Sequence, residues 1–513
     1  MSITLLEPPP LTAAPRRRRG RLLLVAYCFP PVGGAGVQRP VKWVKYLHRA
    51  GWDVTVLTPS NPSVPVRDDS LLAEVPEDTV FLRPRTWEPD YNVKKGLAAD
   101  SGRRSLTSRV RGVVQSVAKA ALQPDPQVLW YWNAVREAAR HLAATPHDAI
   151  VCTAPPYSSF LIGRTLKRRF GLPLVLDYRD EWDMSSQYLE HAQRDWFSQS
   201  VQERMQRRVL AAADAVIATT QASADRLTKR LRAIGSSTAA HCIYNGFDVE
   251  DFTDHCAPPR RETGTFRLIY TGTLWNLTSI QPLVSAVESL NGSRPDAVAK
   301  LEIICVGRKT PEQAACLERL QNLGCRLSLH DYCAHDQVLE WMHGSDALCL
   351  LLSDVPGADR VVPAKLFEYL AARKDLLAIV PDGEAARLVE RFFPEGRFAP
   401  SDVAGIRGWL ESRLDQIPAP SPPSSGERVG VRGRTLHSVS ESRTTSGHPS
   451  ERSAPSPYPS PPKTGERGPD EELWLDSGLP TADDIDEFSR ERQAERLLEV
   501  LEELTVARRG GGR

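Results

Sequence analysis

The sequence predicts an α/β chain with two doubly wound parallel sheets, and three observations carry that expectation. The chain has 513 residues, too many for one hydrophobic core. A strand–glycine loop–helix–strand unit opens it at residues 22–57. Strands and helices then alternate a second time from Phe266 to Val380.

Composition narrows the function classes. Hydrophobic residues make up 41% and charged residues 25%, as in soluble globular proteins. The net charge of +1 gives no bulk pull toward nucleic acid, so no nucleic-acid partner is expected. Nine scattered cysteines form no C-x-x-C pair, and no histidine cluster has zinc spacing. No metal site is therefore expected, and the thiols read as reduced. No apolar run reaches the length of a membrane helix. Residues 1–20, with Arg16 to Arg19, read as a disordered basic tail, because no small-residue cleavage site follows.

The N-terminal domain is expected over 21–252. Leu22 to Ala26 is a continuous apolar strand, followed by Gly33, Gly34 and Gly36 in a loop. A helix from Val37 to Ala50 turns Val41, Val44, Tyr46 and Leu47 inward, and Asp53 to Leu57 is the next strand. This is not a dinucleotide fingerprint. Counted from Gly34, the last glycine position of G-x-G-x-x-G holds Arg39, and the second strand ends in Thr58-Pro59 instead of an acid. The loop amides can still approach a diphosphate.

Farther on, Val110, Val113, Val114, Val117, Ala118 and Ala121 form one helical stripe, with Arg103, Arg104, Arg109, Arg111 and Lys119 beside it. The stripe either packs on its own domain or, through 103–122, lies on an anionic membrane surface. Strands at Asp148 to Cys152 and Pro173 to Leu176 lead into TAPPYSSFLIG and DYRDEW. Ligands of open α/β sheets gather beyond such strand ends. Arg179 and Asp180 there either bind sugar oxygens or pair with each other to fix a turn.

A linker with Pro258 and Pro259 precedes the second domain, 264–416. Its strands are expected at Phe266 to Tyr270, Leu301 to Val306, near Leu327, at Ala347 to Leu352 and at Leu376 to Val380. Arg308 stands at a strand's carboxyl end, where its fork of donors suits a diphosphate. Residues 417–480 are rich in Pro, Ser, Gly and charge and are expected to be a disordered insertion. Within them Ser421–Arg428 recurs as Ser460–Arg467. Helical spacing returns over 481–506, at Phe488, Ala494, Leu497, Leu498, Leu501 and Leu504, before a frayed tail at 507–513.

The stretch Pro363 to Ile379, PAKLFEYLAARKDLLAI, carries the most chemistry. Leu366, Phe367, Leu370 and Ala371 give its helix a buried face, and Pro363 suits the first turn. Lys365 and Glu368 are surface neighbours, three residues apart. A helix N-terminus with a lysine can hold a phosphate, and a glutamate one turn in can accept a ribose diol. A plain surface ion pair on a packing helix is the other reading.

This stretch resembles the nucleotide-sugar site of GT-B glycosyltransferases, in particular retaining, family-4-like bacterial enzymes. FPPVGGAGVQRPVKWVKYL, TAPPYSSFLIG, DYRDEW, NGFD, YTGTL, VGR and FSRERQAERLLEVLEEL resemble the same family in the same order, over Leu22 to Leu410 plus the last helix. The resemblance implies two Rossmann-like domains facing a cleft, an acceptor in the first, a nucleotide-sugar in the second and a C-terminal crossover helix. It implies transfer from a nucleotide diphosphate sugar to a glycan or lipid-linked acceptor, with retention, in cell-surface polysaccharide biosynthesis. The expected place is the cytoplasm, either free or in peripheral contact with the inner face of the membrane. No cofactor beyond the donor substrate is implied.

On this sequence the donor ligands would be Gly33, Gly34, Gly36, Arg308, Lys365, Leu366 and Glu368, with Asp180, Arg308, Lys365 and Arg360 at the chemistry. Arg360 departs from the pattern, since the family carries a glutamate there. It either reaches the diphosphate or faces solvent beside Asp359 or Asp354. No catalytic histidine can be named, because Phe160 or its neighbours stand where relatives carry one. Three other classes remain open: an epimerase of the same fold, a nicotinamide oxidoreductase, which Thr58 and Arg39 disfavour, and an inactive binding protein.

Overall fold

Strands buried on both faces carry long apolar runs, as Leu22–Val25, Ala149–Cys152 and Leu348–Leu351 do here. In a computed structural model, residues 19–34, 36–91, 122–184, 196–252, 264–417 and 480–510 are described. Their strands are β1 (Gly20–Val25), β2 (Trp52–Leu57), β3 (Val80–Leu82), β4 (Ala149–Ala154), β5 (Leu174–Tyr178), β6 (Ala215–Ala218) and β7 (Ala240–Cys242) in the first half. The second half holds β8 (Phe266–Thr271), β9 (Leu301–Val306), β10 (Arg326–His330), β11 (Ala347–Leu351), β12 (Asp375–Ile379) and β13 (Arg397–Phe398).

Two sheets result, ordered β3-β2-β1-β4-β5-β6-β7 and β10-β9-β8-β11-β12-β13. The neighbouring strands run parallel, as helical crossovers require. Strand order reverses between β1 and β4, and again between β8 and β11. The loops leaving those strands are therefore where a ligand crevice opens. They carry Gly33 and Gly34, Gly272 and the approach to Lys365, and the loop after the adjacent β5 carries Arg179 and Asp180. This is the GT-B arrangement of two Rossmann-like domains. The edge strands β3 and β13 were not anticipated, because two or three residues are too few to display a period. The strand anticipated at Cys242 to Tyr244 runs two residues earlier.

The last helix, Arg490–Gly510, belongs to both halves. Just before it, Ile485 and Phe488 are buried in the second domain's core beside Phe367, whose ring centroid lies 5.1 Å from that of Phe488. Its own Ala494, Leu497, Val500 and Leu501 join the first domain's core with Val41 and Val44. The crossing is pinned by Phe247, which donates to Phe488 O at 3.2 Å and accepts from Arg490 N at 2.7 Å. A Cβ on Gly246 would meet Phe488 O at 2.1 Å, so only glycine lets the two segments approach. The basic stripe around 103–122 and the insertion around 417–480 fall almost wholly outside the described residues. Among the described residues, no helix is long and apolar enough to cross a membrane.

Candidate functional site

The donor-side residues converge on Gly272, in the turn after β8. Its φ of +115° is left-handed, and a Cβ there would lie 2.7 Å from Lys365 Nζ. A Cβ on Gly307, after β9, would lie 2.4 Å from Gly272 O. Lys365 and the Gly307-Arg308 turn thus abut the same glycine, although 57 residues or more separate them in the chain. Arg308 is exposed, and its carbonyl accepts from Leu274 N at 2.8 Å.

Lys365 opens the helix Lys365–Ala372 and donates to Tyr270 Oη at 3.1 Å. Its ammonium also lies 4.6 Å from the centroid of the same ring. Burial pushes it down to about 8, with Glu368 and Cys349 offsetting only part of that. Glu368, one turn on, is half-buried and has no hydrogen bond to any described residue. Leu366 is fully buried, and its amide already donates to Pro363 O at 3.0 Å, so its expected role as a donor ligand is not available in this conformation.

In the first domain the glycine loop is held by protein groups. Gly33 N donates to Val66 O and Gly34 N to Tyr332 Oη, both at 3.1 Å. These two amides were expected to face a diphosphate, and here they are spent on closing the loop. Gly36 is exposed, and its carbonyl accepts from Arg179 Nη1. Arg179 Nη2 reaches Pro155 O, so the guanidinium clamps two loops and is not paired with Asp180. Asp180 keeps an exposed carboxylate with no hydrogen bond to a described residue. Arg39, which broke the dinucleotide pattern, is a buried anchor. It bonds Asp177 at 3.0 Å and Tyr244 O at 2.7 Å.

Arg360 does not join Lys365 and Arg308. Its Nε and Nη2 bond the two carboxylate oxygens of Glu181 at 2.8 and 3.1 Å, which ties the domains together. A nearly buried carboxylate is the stronger claim on a guanidinium. Asp359, the expected solvent-side partner, contributes only at 3.4 Å. Three further residues that sequence reasoning passed over lie at this seam. Glu384 caps the helix Gln221–Ala233, Tyr332 reaches across to Gly34 and Asp68, and His335 accepts or donates between Gln38 at 3.0 Å and Asp251 at 3.3 Å. Burial disfavours charge on His335, but Asp251 and Glu368 outweigh it and raise its pKa. The only advance signal was the position of Glu384 directly after a strand's turn glycine.

Among the described residues one carboxylate trio, Glu74, Asp248 and Asp251, is close enough to grip a cation. Lys42 already fills it, bonded to Glu74 and lying 2.7 Å from Asp248 and 2.9 Å from Asp251. Burial alone would raise the Asp248 carboxyl, yet Lys42, Lys45 and Tyr46 hold it far below the usual carboxylate range.

Two parallel-sheet domains joined by a crossing helix, with a lysine and a glutamate on the helix after β11, give the chain the GT-B fold. Residues 33–246 match the family model described as Glycosyl transferase 4-like domain, so this stretch of the first domain carries that likeness. Among solved structures the chain is similar to the N-terminal domain of a Candida albicans trehalose-6-phosphate phosphatase, at 10% identity over 96% of this chain and 98% of that one, with a TM-score of 0.54. It is also similar to Anabaena HepE in complex with UDP and glucose, at 14% identity, 77% and 90% coverage and a TM-score of 0.47. WaaG, a glycosyltransferase involved in lipopolysaccharide biosynthesis, aligns at 15% identity, 77% and 90% coverage and a TM-score of 0.46. The search of curated proteins finds no match.

Proposed function

We propose that this enzyme transfers a glycosyl group from a nucleotide diphosphate sugar to a glycan or lipid-linked acceptor, with retention of anomeric configuration. The bond from the anomeric carbon to the diphosphate breaks, the acceptor hydroxyl forms the new one, and its proton leaves with the diphosphate. The task of the protein is to stabilise that leaving group. Lys365 and Arg308 supply positive charge, the start of the Lys365–Ala372 helix supplies its dipole, and Glu368 accepts the ribose diol. Asp180, on the facing loop, is the polar oxygen offered to the acceptor. Gly36 leaves room for the neighbouring Arg179 guanidinium, since a Cβ there would lie 2.6 Å from its Nη1.

The observation that supports this most is the convergence of Lys365 and the Arg308 turn on Gly272, at the carboxyl edge of β8 and β9, with Glu368 unbonded one turn away. Work on cell-surface polysaccharide at the cytoplasmic face of a membrane, with 103–122 as its contact, belongs to the same reading. The test is a thermal-shift screen of UDP, GDP, ADP and dTDP, because a ligand that binds only the folded state raises Tm. Release of the best nucleotide from matching sugar donors, with the anomeric product read by NMR, completes it. No shift with any nucleotide, or an inverted product, counts against the reading.

A further inference from the structure

Arg490 is the first residue of the C-terminal helix and is only 3% exposed. Its backbone amide is used in the crossing, but its guanidinium makes no hydrogen bond or ion pair with any described residue. Nη1 is buried without a partner. A buried, unpaired charge is costly, and a fold keeps one only where something is gained. Burial and the nearby Arg39 push this arginine down to about 10, and three carboxylates pull it back: Glu368, Asp251 and Asp248.

Two of those carboxylates are already committed. Asp248 is bonded by Lys45 and Tyr46 and ion-paired with Lys42, and Asp251 by Lys42 and His335. Arg39 is likewise spent on Asp177. Glu368 alone among them has no bond to a described residue. The two segments are packed together, since the rings of Phe367, one residue before Glu368, and Phe488, two before Arg490, lie 5.1 Å apart between centroids at a tilt of 43°. Arg490 and Glu368 thus lie on neighbouring segments, close enough for their charges to interact but not bonded to each other.

We propose that Arg490 is a positioning residue whose guanidinium holds Glu368 turned into the cleft, and so sets the affinity of the diol subsite for the donor nucleotide. This rests on the reading of Glu368 given above. The crossover helix then has a second task besides packing, for it carries the counter-charge of the donor site from the far end of the chain.

The experiment is a double-mutant cycle on the full chain, reading Kd by calorimetry for whichever of UDP, GDP, ADP or dTDP gives the largest thermal shift. Arg490→Met is expected to weaken binding at least about tenfold in the parent and less than about twofold in a Glu368→Gln background, because coupled residues are not additive. Its Tm is expected to hold or rise, since methionine removes an unpaired buried charge. Arg490→Lys, which keeps the charge, is expected to bind within about threefold of the parent. Equal losses in both backgrounds, no loss in the parent, or a variant that fails to fold would each overturn the proposal. If Glu368→Gln alone leaves affinity unchanged, the diol reading itself falls, whatever Arg490 does.

Discussion

Glu384 Oε1 accepts the backbone amide of Gln221 at 2.7 Å, so a carboxylate of one domain caps a helix of the other. Its second oxygen takes the amide of Ala222, also at 2.7 Å, and Tyr244 donates to the first at 2.6 Å. These amides have no intrahelical partner, and an acidic group at a helix start also meets the positive end of its dipole. The side chain is 3% exposed, so little water is present to replace it. Glu384→Ala is expected to destabilise the protein by about 1–3 kcal/mol. Urea denaturation measures this, and an unchanged midpoint would mean the cap contributes nothing.

Arg360 and Glu181 make the second tie. Glu181 also accepts from Ser223 Oγ at 2.8 Å and meets Arg226 at 3.2 Å, so losing Arg360 does not leave it wholly unpaired. Arg360→Met is expected to cost about 1–3 kcal/mol of stability. Combined with Glu181→Gln it should cost less than the sum of the single changes. Strict additivity in that cycle would show that the pair is geometric only.

Glu368→Gln is expected to weaken nucleotide binding by about 1.5–3 kcal/mol, the range for a hydrogen bond to a charged group, with little change in Tm. Calorimetric affinity equal to the parent's would remove Glu368 from the donor site.

Lys365 gives the binding a pH signature. Its free-state pKa is lowered to about 8 by burial, and a bound diphosphate must raise it again by supplying negative charge. The protonated form is therefore favoured in the complex, so affinity should be highest below pH 8 and fall as pH rises through it. Near pH 8 binding should take up roughly half a proton, by linkage. Titration in buffers of different ionisation heat reads that uptake directly. Proton release, or affinity that is flat from pH 7 to 9, contradicts the assignment.

How much was legible follows from what a sequence can encode locally. Lys365 and Glu368 stood out because helical spacing places them on one surface, and β12 because a fully buried strand is an unbroken apolar run. Gly272 and Gly307 were visible only as parts of short motifs. Their reason, close approach of the two turns and of a lysine, is a fact of packing. The glycine loop was read as an open cradle, and the structure spends two of its amides on Val66 and Tyr332. No pattern in FPPVGGAG announces a tyrosine that lies 298 residues farther along.

By itself the sequence determined the two doubly wound sheets, the order of their strands and helices, and the helix that carries Lys365 and Glu368. Period and burial are properties of neighbouring residues along the backbone, so a linear reading reaches them. Tertiary structure alone decided the partners of the charges: Arg360 with Glu181, Glu384 with Gln221, Lys42 within a trio of carboxylates, and the Arg490 guanidinium with no bonded partner among the described residues. Those residues sit in loops and at helix ends, where no period constrains them. Which of them meet depends on how two domains and a crossing helix close on one another, and the strength of each meeting depends on the water excluded when they do.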